Sequence, residues 1–230
     1  MAAGRPEVGN LGPRHRSKAE ETRRSLAIMD VPIADYTRDG VTRTVRLAGT
    51  TPSRAEVLRM RESYYRSTLT RLGVSVWDDH DETAVHLLCV EGTVPVGSLR
   101  VTLNRRGLGD MYEDFPQADE LLGDSGDFLS FARELVVPGR RGSEVTTAMA
   151  HAACLWWRGH SPVRRVVFTS IVRAGRSPAF FGATAVTAPV PLGPAATPVV
   201  MCTGWLDPVI AGTTRRLERA GWSVTVRPTT

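Results

Sequence analysis

The chain has 230 residues, 42% apolar and 23% charged, which excludes collagen-like and wholly disordered classes and supports one core-bearing domain rather than two. Lysine and arginine outnumber aspartate and glutamate by 29 to 24, a formal charge of +5. Arginine supplies most of that charge, a composition suited to phosphates, carboxylates or an acidic protein and equally to a solvated basic surface.

Residues 1–28 are rich in Gly, Pro, Arg and Glu without apolar periodicity and read as a disordered basic tail, leaving 29–230 as one domain. The tail has no apolar h-region, so a cytoplasmic address is expected. Its Arg14, Arg16 and Lys18 are the only hint of nucleic acid, and no such partner is expected. No stretch reaches the roughly 18 to 20 apolar residues of a membrane span.

Order begins near "VTRTVRLAG", a strand after the Asp39-Gly40 turn, with Arg43 interrupting its apolar face. Thr51 before Pro52 predicts a helix start, with Ser53-x-x-Glu56 as an alternative capping box, and the helix runs to about Leu72 before Gly73. Ala84 to Val90 and Val94 to Leu103 form a hairpin about Glu91-Gly92. A short helix in "FPQADELLG" precedes the strand "DFLSFARELVV", whose Arg133-Glu134 pair breaks an apolar run. Alanines at helical spacing extend from Ser143 to about Trp157. The strand "VRRVVFTSI", the short helix "SPAFFG", the strand "TPVVMCTGW", a helix opened by Asp207-Pro208 and a last strand "WSVTVRP" complete the chain. This order predicts an α/β (α+β) fold with a mixed, mostly antiparallel sheet flanked by helices.

From about Val41 to Asp207 the chain resembles the GNAT superfamily of N-acetyltransferases, and more closely the acyl-homoserine-lactone synthase and long-chain N-acyl amino acid synthase branches. The resemblance rests on five ordered pieces: Tyr64-Tyr65 before "RLG", the Asp78-x-x-Asp81 segment, "VGSLRVT" with Gly97 and Arg100, "ARELVVPGRRG", and "PLGP" at 191–194. It implies a splayed central strand pair that holds a thioester, with bulged backbone N–H groups around Val136 and Val137 facing the oxyanion.

The resemblance also implies donor-phosphate contacts from Arg140, Arg141, Gly142 and Ser143 at a helix start. Gly139 and Glu144 depart from the usual glycine-rich turn, and a carboxylate beside a pyrophosphate is unfavourable. An acyl carrier protein, with one phosphodiester and an acidic surface for Arg105 and Arg106, is therefore the expected donor ahead of acyl-CoA. No permanently bound cofactor or metal is expected.

Amine attack requires a proton acceptor, and Glu134 is the first candidate. Alternation along a strand leaves open whether Arg133 or Glu134 faces the acceptor. Asp78 and Asp81 are candidates for an acceptor's ammonium and Arg100 and Arg133 for its carboxylate, which describes an amino-acid-like acceptor; the same four side chains equally form an internal ion-pair network. The scattered histidines and Trp156, Trp157, Phe180 and Phe181 read as core or surface groups, and no Gly-x-Ser-x-Gly elbow is present. Three readings stand: transfer of an acyl, preferably fatty, group from an acyl carrier protein or acyl-CoA thioester to the amine of an amino-acid-like acceptor; CoA-dependent acetylation of a small amine or acylation of a peptide side chain; and a non-catalytic sensor of acyl carrier or lipid.

Overall fold

A computed structural model describes residues 29–123, 126–172 and 181–228. The basic tail lies outside the described residues, as does most of the "SPAFFG" helix expectation. All the described strands join one sheet, in the order β10 (Ser223–Val226), β1 (Pro32–Arg38), β2 (Val41–Leu47), β3 (Val85–Glu91), β4 (Val94–Asn104), β5 (Phe128–Val136), β6 (Arg165–Ile171), β9 (Thr197–Trp205) and β7 (Thr184–Ala185), with β8 (Val190–Leu192) also paired to β9.

The first strand, β1 (Pro32–Arg38), precedes the first element expected from the sequence and forms a hairpin with β2 (Val41–Leu47). Asp30, just before it, provides the cap of the next helix. Its carboxylate accepts the N–H groups of Gly49 and Thr50 and the hydroxyls of Thr50 and Ser53. Helix α1 (Thr51–Tyr64) thus starts after Thr50 with Pro52 in its first turn, and the Ser53/Glu56 box is not formed because Ser53 is taken by Asp30. The expected single helix breaks at Tyr65, and α2 (Arg66–Leu72) ends at Gly73 in the left-handed conformation.

Asp78 and Asp81 open α3 (Asp79–Thr83) as a reciprocal capping box. Strands β3 (Val85–Glu91) and β4 (Val94–Asn104) form the expected hairpin. Between β4 and β5 (Phe128–Val136) lie two short helices, α4 (Asp110–Asp114), which the sequence reading missed, and α5 (Ala118–Leu122). Met111 Nα–H donates to the buried Asn104 Oδ1 at 3.0 Å, tying α4 to the end of β4.

After β5 the chain turns through a 3₁₀ segment (Pro138–Arg140) into α6 (Val145–His160), then β6 (Arg165–Ile171). Helix α6 buries Met149, Trp156 and Trp157 against the sheet, each on the order of 2–3 kcal/mol. Gly97 permits the close approach, since a Cβ there would lie 2.6 Å from Val145 Cγ1. The chain ends with β7 (Thr184–Ala185), β8 (Val190–Leu192), β9 (Thr197–Trp205), α7 (Leu206–Arg219), which packs on α6, and β10 (Ser223–Val226), which returns to pair with β1.

The sheet is antiparallel except at β5 and β6, which run parallel and pair only over Leu129–Phe131 with Val166–Phe168. Beyond that point nothing in the ladder holds the two strands together, and they part. No described helix is long and apolar enough to cross a membrane.

Two turns from distant parts of the chain interlock beside this opening. Gly193 has φ +68° and an added Cβ would stand 2.3 Å from Leu72 O; Gly73 has φ +74° and would meet Pro194 Cδ at 2.6 Å. Gly193→Ala is expected to destabilise the fold by at least about 1–2 kcal/mol from the left-handed backbone alone, and by more where Leu72 cannot retreat. Gly142→Ala, also at positive φ but with nothing within 4 Å, is the comparison. Chemical denaturation of both variants checks this, and equal midpoints would contradict the interlock.

Candidate functional site

The Arg133-Glu134 pair sits on a bulge. Ser98 pairs with Leu135 but Arg100 pairs with Ala132, so β5 carries one extra residue there. Arg133 has φ +52°, a left-handed conformation uncommon for a side chain with a Cβ. The consequence is a change of face: Leu129 and Phe131 pack towards α6, whereas Leu135 packs with α1 residues Val57 and Met60. Simple alternation therefore fails at the residue pair where it was needed.

Ala132 and Arg133 both line a cleft of about 120 Å³ where β5 leaves β6. Its outer wall is apolar, from Leu69, Leu72, Val74 and Leu192, and its floor and mouth are charged: Asp78, Arg100, Arg133, Asp110, Glu113 and Asp114. Tyr65, at the helix break, adds a phenol whose pKa is raised by burial and then by Glu134. Glu134 does not line the cleft. It is exposed, and its carboxylate accepts the Thr146 hydroxyl from α6, so its expected position over the acceptor is corrected by the bulge.

Beneath the cleft the charges are paired. Arg100, only 3% exposed, donates to Asp78 at 2.6 Å and Asp110 at 3.0 Å and lies 3.4 Å from Asp81. Arg61, fully buried and unnoticed in the sequence, donates to Asp81 at 2.8 Å and to Val76 O. Arg133 donates to Asp78. Asp110 also accepts from Thr102, Asn104 and Ser130. Burial disfavours the Asp78 carboxylate, but Arg100 and Arg133 outweigh it and hold its pKa at about 2. His86, stacked on Trp77, donates its Nε2–H to the Asp81 backbone carbonyl at 2.9 Å, and burial lowers its pKa to about 4, leaving the ring neutral. Asp81 and Arg100 accordingly support the cleft from below. Asp81 has no exposed surface for an acceptor, which corrects its expected role, and Arg100 is occupied by carboxylates of the chain itself.

At the turn before α6, Arg140 is held by Glu91 through two hydrogen bonds of 3.1 and 2.6 Å. Arg43, the residue that interrupts the apolar face of β2, is buried against Trp222; it donates to Glu91 and to the Ser143 carbonyl. These bonds fix the turn from behind. Arg140 is thereby committed, while Arg141 and Gly142 are exposed, and no hydrogen bond or ion pair is found for the Arg141 guanidinium among the described residues. The first-turn N–H groups of α6 follow Ser143. Glu144, expected to repel a pyrophosphate, instead receives two hydrogen bonds from Arg216 of α7 at 2.6 and 3.0 Å and one from Thr147. Its charge is matched by α7, and the electrostatic objection to a pyrophosphate loses its force.

The two backbone donors named from the sequence part company. Val137 N–H donates to Val96 O at 3.0 Å, so it is unavailable to an oxyanion. In that register Val136, opposite Gly97, forms a non-hydrogen-bonded pair and its N–H turns away from β4, to the side where β6 has parted. The carboxylates Asp110 and Asp114 and the buried Arg61 were missed; the acidic "GDMYED" stretch was the available signal for the first two. Among the described residues no group of His, Cys, Asp and Glu is arranged to hold a metal ion. The thiols of Cys89 and Cys202 are buried, with pKa values pushed up to about 12 and 11.

No protein-family model matches the chain, and no curated protein matches it in sequence. Solved structures match in fold. The chain is similar to an insect protein assigned as arylalkylamine N-acetyltransferase 7, from the yellow fever mosquito, with a TM-score of 0.59 and 12% identity over 76% of this chain and 96% of that one. It is similar to FeeM, an N-acyl amino acid synthase from uncultured soil microbes, with a TM-score of 0.51 and 10% identity over 74% and 93%. It is also similar to the AHL synthase LasI, with a TM-score of 0.52 and 14% identity over 73% and 91%. The likeness establishes the fold: a GNAT-like mixed, mostly antiparallel sheet, open at its centre and flanked by helices, as expected from the sequence.

The buried network makes a stability prediction. Arg100→Met leaves three aspartates facing one another and is expected to cost about 3–5 kcal/mol. Because Asp78 has a lowered pKa when folded, its contribution is present above its ordinary value near 3.8 and is lost as pH falls towards 2. Asp78→Asn should therefore lose stability at neutral pH and show a flatter acid limb than the parent. Parallel acid limbs in a pH series of urea melts would contradict the assignment.

Proposed function

We propose that this chain is an N-acyltransferase that moves an acyl group from a phosphopantetheine thioester to the amine of an amino-acid-like acceptor by direct attack. The observation that carries the reading is the bulge at Arg133. It places a guanidinium and the opened edge of β5 in one cleft, at the point where β5 and β6 separate. The GNAT-type fold supports the same reaction class by analogy.

In this reading the thioester lies between β5 and β6, with its carbonyl oxygen towards the Val136 N–H, a fixed donor for the negative charge that develops on attack. The donor's phosphate meets Arg141, Gly142 and the N–H groups around Ser143 at the start of α6, where the helix dipole also favours an anion. An acyl carrier protein and CoA present the same arm, and with Glu144 matched by Arg216 both fit; in the sequence, the preference for the carrier rests on Glu144 and on Arg105 and Arg106 for its acidic surface. Arg133 holds the acceptor's carboxylate, since it lines the cleft and meets one carboxylate, Asp78, whereas Arg100 is shared among three. The apolar wall of Leu69, Leu72, Val74 and Leu192 supports an apolar acyl chain, while the cleft's volume of about 120 Å³ favours a second reading, CoA-dependent transfer of a short acyl group to a small amine.

Single-turnover mixtures of acetyl-CoA, octanoyl-CoA or octanoyl carrier protein with a panel of amino acids and amines, read by mass spectrometry, test the reading; no amide from any mixture would sink it. Arg141→Ala is expected to raise KM about 10- to 100-fold for the preferred phosphate-bearing donor, the value of one charge-assisted hydrogen bond. The same variant should leave transfer from the corresponding acyl-pantetheine, which lacks the phosphate, within about twofold. Equal losses with both donors would remove Arg141 from the phosphate site.

A further inference from the structure

Four carboxylates line the cleft, and three of them are committed. Asp78 is held by Arg100 and Arg133, and Asp110 by Arg100 together with Thr102, Asn104 and Ser130. Glu113 meets the His80 ring at 2.6 Å. Asp114, the last residue of α4, lines the same cleft, and no hydrogen bond or ion pair is found for its carboxylate among the described residues. It is exposed on the open side, so a proton taken there can leave to water. From this juxtaposition we infer that Asp114 is the residue that deprotonates the acceptor's ammonium group, the part assigned from the sequence to Glu134. The inference rests on the acyltransfer reading above.

The step balances as follows. Asp114 takes one proton from the ammonium, and the freed nitrogen lone pair forms a C–N bond to the thioester carbonyl carbon. As the tetrahedral adduct collapses, the C–S bond breaks; the second proton on nitrogen goes to the departing thiolate, giving amide and thiol. Asp114 returns its proton to solvent. The electrostatic surroundings suit a base. Its pKa is raised by burial in the cleft and by Asp110 and Glu113, against the opposing charges of Arg133 and Arg100. Asp78 faces the cleft from α3 already neutralised by its two arginines, and Tyr65 from the helix break has a raised pKa and stays a neutral phenol. A carboxylate with a raised pKa is the better proton acceptor, and its ionised form is the competent one, so kcat/KM should fall as pH drops through its value.

The test compares the parent chain with Asp114→Asn, Asp114→Glu and Glu134→Gln, using the donor and amino acid that give most product in the screen. Asp114→Asn should lower kcat about 10²- to 10⁴-fold, the usual worth of a positioned general base, and abolish the acid limb of the pH profile. Asp114→Glu should recover part of the rate. Hydroxylamine, which is already unprotonated at neutral pH, is the second acceptor: with it Asp114→Asn should lose less than about tenfold. A variant that had merely unfolded would lose both activities equally, and equal loss in a folded Asp114→Asn would overturn the assignment. So would a parent-like rate for Asp114→Asn beside a large loss for Glu134→Gln. If the parent itself transfers to no amine, the acyltransfer reading fails first, an outcome distinct from all of these.

Discussion

The structure turns on one buried cation. Arg100 projects from the middle of β4 and is met by aspartates from three directions: the cap of α3 (Asp78), the third residue of that helix (Asp81) and the start of α4 (Asp110). A guanidinium so deeply buried costs several kcal/mol in lost hydration, and the cost is recovered only because each partner is itself fixed by other bonds. Two short helices of five residues, neither stable alone, are in this way pinned to the sheet by charge rather than by apolar area. Their placement then sets the side walls of the cleft.

Arginine is the suitable residue for this position. Its planar fork reaches two carboxylates at once, and it does not surrender its proton under any ordinary condition, whereas a buried lysine would readily do so. With Arg61 and Arg133 completing the pairing to Asp81 and Asp78, the floor of the cleft keeps a constant charge. Titration is left to the mouth, which is where a reacting group benefits from it.

Much of the architecture was legible in the sequence because it is written in local terms. The hairpin about Glu91-Gly92, the small-residue helix after Ser143 and the strand "TPVVMCTGW" follow from periodicity and turn residues and are found nearly where expected. What was not legible is non-local. Strand β1 exists because β2 and β10 flank it, and α4 because Asn104 and Arg100 hold it. At the site, the sequence singled out Arg133, Glu134, Asp78 and Arg100, but not their arrangement. A bulge is a property of two strands compared, so no reading of β5 alone could tell that Arg133 faces Asp78 while Glu134 meets Thr146. Likewise Glu144 looked hostile to a phosphate only because Arg216, which matches it, lies far along the chain.

The interlocked turns at Gly73 and Gly193 carry a consequence for assembly. One follows α2 and the other lies in the β8-β9 connection, and the cleft's apolar wall is completed only when they meet. That wall thus depends on a contact of high sequence separation, the kind that costs most in loop-closure entropy. Leu69, Leu72 and Val74 bring one side of that wall and Leu192 of β8 the other, so a chain interrupted before β8 would lack part of it. The cleft, like the core, draws on remote parts of the chain: its lining runs from Tyr65 to Leu192.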